Sequence, residues 1–233
     1  MLKNKQTTLL CFSPPIMIAT FLIEIVLMLA TIATRRLNKA GKLIAVSLFS
    51  LAFFQLCEYF VCGGLGADAA LWSRLGFIAI TTLPPLGMHI IHEIAGKKSK
   101  WLVWISYATM AAFIVLFGFS ENAFTNHQCV SNYVIFHLGA AVGYVYSAYY
   151  YGILLLGIYV AMNLARKTKK KVHKEALYGM TVGYLTFLLP TAIANTIKPE
   201  TMAGIPSIMC GFAVVHALIL FSYVLPRVSK IRK

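Results

Sequence analysis

Four groups of ionisable side chains lie within long apolar stretches of the sequence, where a charged group is costly and usually has a function. In chain order they are Glu24, Glu58, the group formed by His89, His92 and Glu93, and His216. On membrane-spanning helices they would fall at three depths, as a path for protons or cations requires. Glu24, His89, His92, Glu93 and His216 are therefore candidates for such a path, with Glu58 as its outermost group.

The most polar face of any apolar stretch belongs to the second one. Gln55, Glu58 and Cys62 are spaced at i, i+3 and i+7, so they share one face of a helix. A carboxylate beside an amide inside a membrane predicts the polar floor of a pocket for a ligand or an ion. Because these residues lie in the outer half of the predicted helix, we expect the pocket to open to the outside. Gln55 and Glu58 are therefore candidate ligand-binding residues.

Residues from other stretches complete this pocket hypothesis. Arg74 enters the third stretch at a depth similar to that of Glu58, so we expect it to be the charge partner of that carboxylate. His137 and Tyr144, from the fifth stretch, are candidate walls and ligand-binding residues. The alternative is a purely structural ion pair between Glu58 and Arg74.

Thiols and imidazoles on the same side of the membrane allow two further chemistries. Cys62, His127 and Cys129 are candidate ligands for a soft metal ion such as Cu(I), although only His127 and Cys129 are close in sequence. On an oxidising face, two of Cys11, Cys62 and Cys129 could instead form a disulfide. The sequence leaves both interpretations open.

Motifs for catalysis or for a resident cofactor are lacking in the sequence. It contains no His-Glu-x-x-His, no Gly-x-Ser-x-Gly and no paired aspartates. The last apolar stretch has no lysine for a retinal Schiff base, and nothing resembles a haem pocket. We therefore expect a non-enzymatic protein with no catalytic residue and no cofactor.

The composition places these residues in a membrane protein. Hydrophobic residues make up 59% of the 233 residues, charged residues only 12%, and the mean hydropathy is +0.76. A soluble domain has about twice this charged fraction, so an ordinary soluble enzyme is excluded. The apolar stretches cover residues 13–34, 43–62, 70–95, 102–119, 134–164, 176–197 and 205–226. We predict an all-α, polytopic bundle of seven transmembrane helices that forms one domain over residues 1–233.

Cations are confined to alternate connections between these stretches. The basic connections fall at residues 35–42, 97–100, 166–174 and 227–233, whereas the others are nearly neutral. The positive-inside rule then predicts an N-terminus outside and a C-terminus in the cytoplasm. The same placement explains the formal net charge of +14 without nucleic-acid binding. We expect a multi-pass protein of a bacterial cytoplasmic (inner) membrane.

Prolines and glycines predict where the helices bend and where they touch. Pro84 and Pro85 interrupt the third stretch near its middle, and Pro190 lies in the sixth. Each proline removes a backbone donor, so we expect kinks at these points. Gly179 and Gly183, four residues apart, permit close contact with another helix of the same chain.

Several motifs cluster between Glu58 and Lys100. They are an acidic–aromatic pair at Glu58, a Trp72-Ser-Arg74-Leu entry to the third stretch, Leu83-Pro84-Pro85 at its middle and a Gly-Lys-Lys exit. Together they resemble the N-terminal seven-helix sensor regions of bacterial histidine kinases. The resemblance implies a membrane sensor with the same orientation. Because the chain ends at Lys233, we expect it to lack a kinase module of its own.

The first functional hypothesis is therefore a non-enzymatic sensor that binds a small ligand or ion in an outward-facing pocket within the membrane. A proton- or cation-coupled transporter or channel is one alternative, and a membrane metal or redox protein is another. The lipid bilayer is the expected partner, and a second copy of the chain is a further candidate. A cytoplasmic signalling partner would bind the basic loop at Lys169–Lys174.

Overall fold

The computed structural model describes residues 14–34, 37–63, 68–97, 100–120, 124–130, 133–198 and 204–231. Within these ranges the chain forms α-helices and one β-hairpin. They are α1 (Pro14–Thr34), α2 (Lys39–Gly63), α3 (Ala69–Thr81), α4 (Leu83–Ala95), α5 (Trp101–Phe119), β1 (Phe124–Val130), β2 (Tyr133–Leu138), α6 (Ala140–Lys167), α7 (Lys171–Ile197), α8 (Ile205–Ile219) and α9 (Leu225–Val228). A π-helical turn, Leu220–Val224, joins α8 to α9.

Seven of the described helical segments are long and apolar enough to cross a bilayer, which confirms the predicted seven-helix bundle. Two spans consist of more than one helix. The third, Ala69–Ala95, combines α3 and α4, and the seventh, Ile205–Val228, combines α8, the π-helical turn and α9. The chain is a multi-pass membrane protein.

Burial separates the central spans from the peripheral ones. The second and third spans are 67% and 72% buried within the bundle, whereas the first and fourth are only 22% and 17% buried. The exposed side chains of α1 and α5 are large and apolar, for example Val26, Leu29 and Trp104. In a bilayer such faces contact lipid, so α2, α3 and α4 form the centre around which the other helices pack.

The predicted fifth span, 134–164, is wrong at its start. Residues 133–138 form strand β2, which pairs antiparallel with β1 in a register that places His127 opposite Phe136, and α6 begins only at Ala140. Aromatic and β-branched residues such as Val134, Ile135 and Phe136 favour a strand, but they are as apolar as a helical span. An all-helical prediction therefore missed this hairpin.

The hairpin lies at the end of the bundle where α2, α5 and α7 finish and α3, α6 and α8 begin, which we call the hairpin end. It packs on α2, α3 and α8. The backbone N–H of Val134 donates to the Ser207 hydroxyl at 3.3 Å, which ties β2 to the first turn of α8.

Glycines bring the central helices into close contact. A side chain at Gly87 in α4 would overlap the Tyr184 hydroxyl of α7, and one at Gly183 would overlap the His216 ring. A Cβ at Gly179 would lie 2.7 Å from Tyr223. The predicted intramolecular contact of Gly179 and Gly183 is therefore confirmed.

Candidate functional site

A cavity of about 360 Å³ lies at the hairpin end between β2, α3, α6 and α8, and we call it the hairpin cavity. This volume lies at the lower end of the range for small-molecule sites in proteins. Its walls combine aromatic and aliphatic side chains with a few polar groups. Residues on its walls include His137, Tyr144, Tyr146, Ser147, Tyr150 and Cys210.

One wall is a cluster of interlocked rings. Phe77 of α3 makes edge-to-face contacts with Phe136 of β2 at 5.1 Å and with Phe117 of α5 at 5.3 Å between centroids. Tyr146 of α6 lies 5.5 Å from Phe77 and 5.1 Å from Phe117. Such arrangements are favourable beyond the area they bury, so the wall is pre-formed.

Two tyrosine hydroxyls connect this wall to the break between α3 and α4. Proline has no backbone N–H, so Pro85 leaves the carbonyl of Thr81, four residues earlier, without its helical partner. The Tyr149 hydroxyl donates to that carbonyl at 2.7 Å. The Tyr146 hydroxyl lies 3.1 Å from the Thr81 hydroxyl. A lining residue of the hairpin cavity thus contacts the helix break directly.

The residues predicted to form one pocket are divided between two places. His137 and Tyr144 lie on the wall of the hairpin cavity. Gln55 and Glu58 are outside its lining and are buried in the helix interface, with 2% and 1% of their surfaces exposed. The ligand-binding role of all four stays a prediction.

Arg74 is not the charge partner of Glu58. Its guanidinium donates to the Gly118 carbonyl at 3.4 Å, and the salt bridges among the described residues do not include a Glu58–Arg74 pair. The reason is helix rotation, because Arg74 faces α5 whereas Glu58 faces α1 and α8. Similar depth in the membrane did not place the two side chains together.

Glu58 instead belongs to a buried group that we call the carboxyl cluster, formed by Glu24, Gln55, Glu58 and Ser207. Glu24 of α1 has no exposed surface and lies within the electrostatic range of Glu58. Ser207 at the start of α8 makes a hydrogen-bonding contact with the Glu58 carboxyl. Both carboxyl oxygens of Glu24, Oε1 of Glu58 and Nε2 of Gln55 have no hydrogen-bond partner among the described residues.

The residues predicted to form an ion path fall into separate groups. Glu24 is in the carboxyl cluster, and His216 stacks on Tyr184 with ring centroids 5.4 Å apart. Nδ1 of His92 lies 2.9 Å from the Met88 carbonyl oxygen. Their role in a path stays a prediction.

The remaining two path candidates, His89 and Glu93, lie at the opposite end of the bundle. The Glu93 carboxylate forms ion pairs with Lys39 of α2, at 3.4 Å, and with Lys100 at the start of α5, and His89 Nε2 lies 3.4 Å away. The hydrogen bond from Lys100 to Glu93 raises the pKa of that lysine. This ion-pair group joins the ends of three spans.

We expect Glu93→Gln to lower the free energy of unfolding by about 1–3 kcal/mol. The substitution removes the mostly buried carboxylate to which the ammonium groups of Lys39 and Lys100 are paired. The raised pKa of Lys100 means that the stabilisation is complete at neutral pH and is lost as the pH rises through the pKa of the folded state. Unfolding in detergent at neutral and at strongly alkaline pH would measure both effects. Equal stability of the variant and the native protein at neutral pH would contradict the prediction.

The structure gives the state of three of the five cysteines. Cys62, one of the three outer thiols for which a disulfide was one of two interpretations, is disulfide-bonded, whereas Cys57 and Cys210 are free. Cys11 lies outside the described residues, as do the side chains of His127 and Cys129. In the part of the chain that is described, no three His, Cys, Asp or Glu side chains are grouped so as to hold a metal ion.

Sequence reasoning missed Thr81, Tyr146, Tyr149 and Ser207. A signal was present in the run of tyrosines from Tyr144 to Tyr151, since buried hydroxyls in an apolar helix need partners. The free carbonyl created by Pro85 was a second signal, because it requires a donor from elsewhere.

The comparison with protein families agrees with this architecture. The family described as the N-terminal 7TM region of histidine kinase matches residues 16–228, which confirms the resemblance and extends it over nearly the whole chain. No curated protein matches the sequence.

Proposed function

Since the chain belongs to the family of N-terminal 7TM regions of histidine kinases, we propose that it is a membrane sensor whose small ligand binds in the hairpin cavity. The family supports the role of sensor. The position of Tyr146 supports the choice of site, because this residue both lines the hairpin cavity and contacts the helix break at Thr81. The sensor itself would catalyse no reaction.

The walls of the hairpin cavity favour a small, mainly apolar molecule with one or two hydrogen-bonding groups. Apolar side chains, aromatic and aliphatic, supply most of the lining, and Tyr146, Tyr150 and Ser147 offer hydroxyls. His137 lines the cavity, is exposed, and could form a hydrogen bond with a polar group of the ligand. A strongly charged ligand would have no ion-pair partner among these residues.

Ligand binding would act on the third span through the two tyrosine hydroxyls. Displacement of Tyr146 by a ligand would change its contact with Thr81 and the support that Tyr149, one turn later, gives to the Thr81 carbonyl. The break between α3 and α4 can respond, because the prolines have removed the hydrogen bonds that would make this helix rigid. The movement would reach the opposite end through α4 and the ion pairs of Glu93.

We also propose that the hairpin end faces the outside of a bacterial inner membrane. The disulfide of Cys62 lies at this end, and disulfides persist in oxidising compartments. The basic residues Lys39, Lys100 and Arg227 lie at the other end, as expected for the cytoplasmic side. A cytoplasmic signalling partner would then meet the exposed Lys169 and Lys170 between α6 and α7.

Gly143→Leu tests the proposed site. Gly143 lines the hairpin cavity, and the nearest atom to an added Cβ is Cβ of Leu138 at 3.8 Å, so a leucine there fills the cavity without a clash at its base. Compounds that raise the midpoint of thermal unfolding of the native protein in a screen of small amphipathic molecules are expected to lose that effect in Gly143→Leu.

Gly152→Leu is the matched control for this experiment. Gly152 lies on the same helix, is exposed and has open space around it. Compounds should stabilise this variant as they stabilise the native protein. If the same compounds stabilise Gly143→Leu equally well, the hairpin cavity is not their binding site.

A further inference from the structure

The carboxyl cluster combines two acidic groups with no cationic partner. Glu24 and Glu58 come from different helices, α1 and α2, and are 0% and 1% exposed. The groups that act on them electrostatically are each other, Ser207, and the thiols of Cys57 and Cys210. No lysine, arginine or histidine of the described residues forms an ion pair with either carboxylate.

The unpartnered atoms of the cluster are mostly oxygen acceptors. Three carboxyl oxygens, both of Glu24 and Oε1 of Glu58, are buried without a hydrogen-bond partner among the described residues. Gln55, one turn before Glu58 on the same face of α2, has 2% of its surface exposed. Its amide nitrogen Nε2, a donor, also has no partner among the described residues, and only its amide oxygen Oε1 could bind a cation. Buried polar atoms are rarely left in this state, so a further group is expected between the helices.

We propose that Glu24 and Glu58 hold a hard metal cation, Na⁺ or Ca²⁺, between α1, α2 and α8. Carboxylate, amide and hydroxyl oxygens are the ligands that such cations prefer, and Gln55 and Ser207 supply the neutral ones. A metal that requires imidazole or several thiolates fits less well, because the two nearby thiols do not form a three-residue ligand group with the carboxyls. The proposal goes beyond the ligand of the hairpin cavity and does not depend on it.

The cation would stabilise the hairpin as well as the helices. Ser207 contacts the Glu58 carboxyl and accepts a hydrogen bond from the backbone N–H of Val134 in β2. Cys210, in the next turn of α8, lies within electrostatic range of both carboxyls and also lines the hairpin cavity. A cation bound to Glu24 and Glu58 would therefore fix the first turns of α8 and, through Ser207, the strand that forms part of the cavity wall.

The experiment measures thermal unfolding of the full chain in detergent, at constant pH and ionic strength. Sodium chloride is compared with choline chloride, and calcium with its removal by EGTA. We expect a saturable rise of the midpoint by roughly 5 °C or more at a hundredfold excess of cation over its Kd. A response to sodium alone identifies a monovalent site, and a response to calcium alone identifies a divalent site.

Isosteric variants connect the shift to the cluster. Glu24→Gln and Glu58→Gln are each expected to abolish the cation-dependent rise, whereas Glu175→Gln is expected to keep it, because Glu175 pairs with Arg227 outside the cluster. Gly143→Leu should also keep it, which separates this site from the ligand site of the hairpin cavity.

Direct binding decides the outcome if a variant does not fold. The native protein should retain ²²Na⁺ or ⁴⁵Ca²⁺ in equilibrium dialysis and release it to an excess of the same unlabelled cation. Background retention of both isotopes, together with identical midpoints in choline, sodium and calcium, would overturn the proposal. The proposal would also be overturned if cations had no effect on the native protein and Glu24→Gln raised the midpoint of unfolding in every salt. That result would show that the carboxyls are neutralised by protons and not by a metal cation.

Discussion

Gly87→Ala is expected to destabilise the bundle by about 1–3 kcal/mol, the usual cost of overpacking a core. The added methyl would overlap the hydroxyl of Tyr184 and would lie 3.0 Å from its Cζ atom. The ring cannot move away easily, because it is 3% exposed, stacks on His216 and has Gly157 against its opposite edge. The overlap should outweigh the gain of up to about 1 kcal/mol that alanine brings to a helix.

A double-mutant cycle separates the steric effect from a general effect on α4. Tyr184→Phe removes the overlapping oxygen, so Gly87→Ala should cost clearly less in that background, as measured by SDS-titrated unfolding in micelles. Gly152→Ala is the matched control, since its Cβ meets open space, and it should be neutral or stabilising. The same cost of Gly87→Ala with Tyr184 and with Phe would show that the close contact is not the cause.

Tyr149→Phe is expected to lower the free energy of unfolding by about 1–3 kcal/mol, because it leaves the buried carbonyl of Thr81 without a donor. The phenylalanine keeps the ring and its contact with Phe113, 4.9 Å between centroids, so only the hydrogen bond is removed. In a bilayer the lost bond is not replaced by water. The same variant should also weaken the response of the protein to ligands of the hairpin cavity.

Pro85→Ala provides the test of this explanation. Alanine restores the backbone N–H that can bond to the Thr81 carbonyl, so Tyr149→Phe should cost much less when the proline is absent. Tyr159→Phe is the matched control on the same helix, because Tyr159 is 65% exposed. The explanation fails if Tyr149→Phe has the same effect with and without Pro85, or if Tyr159→Phe is as costly.

Local features of the sequence predicted the spans and their number. A run of about 20 apolar residues can be accommodated only across a bilayer, whatever its neighbours are, and this property is read from adjacent residues alone. The break at Pro84 and Pro85 was predictable for a similar reason, since a proline removes its own donor. The start of the fifth span was not, because Val134 to Phe136 are apolar in a strand as well as in a helix.

The partners of the polar side chains depended on the tertiary structure. The sequence identified Glu24, Glu58 and His137 as unusual, and it placed Glu58 and Arg74 at similar depth. It could not show that α2 turns Glu58 toward α1 and α8, nor that Arg74 turns toward Gly118. The rotation of each helix about its axis is set by the packing of all its neighbours, including contacts such as those of Gly87 and Gly183.

The sequence by itself therefore determined that this protein has seven membrane-spanning helices and resembles the N-terminal 7TM regions of histidine kinases, because apolar length and short motifs are properties of contiguous residues. Only the tertiary structure decided that the aromatic residues of the hairpin cavity and the carboxyl cluster lie in separate places. Each group is assembled from residues far apart in the chain, and their proximity follows from helix packing, which no local pattern encodes.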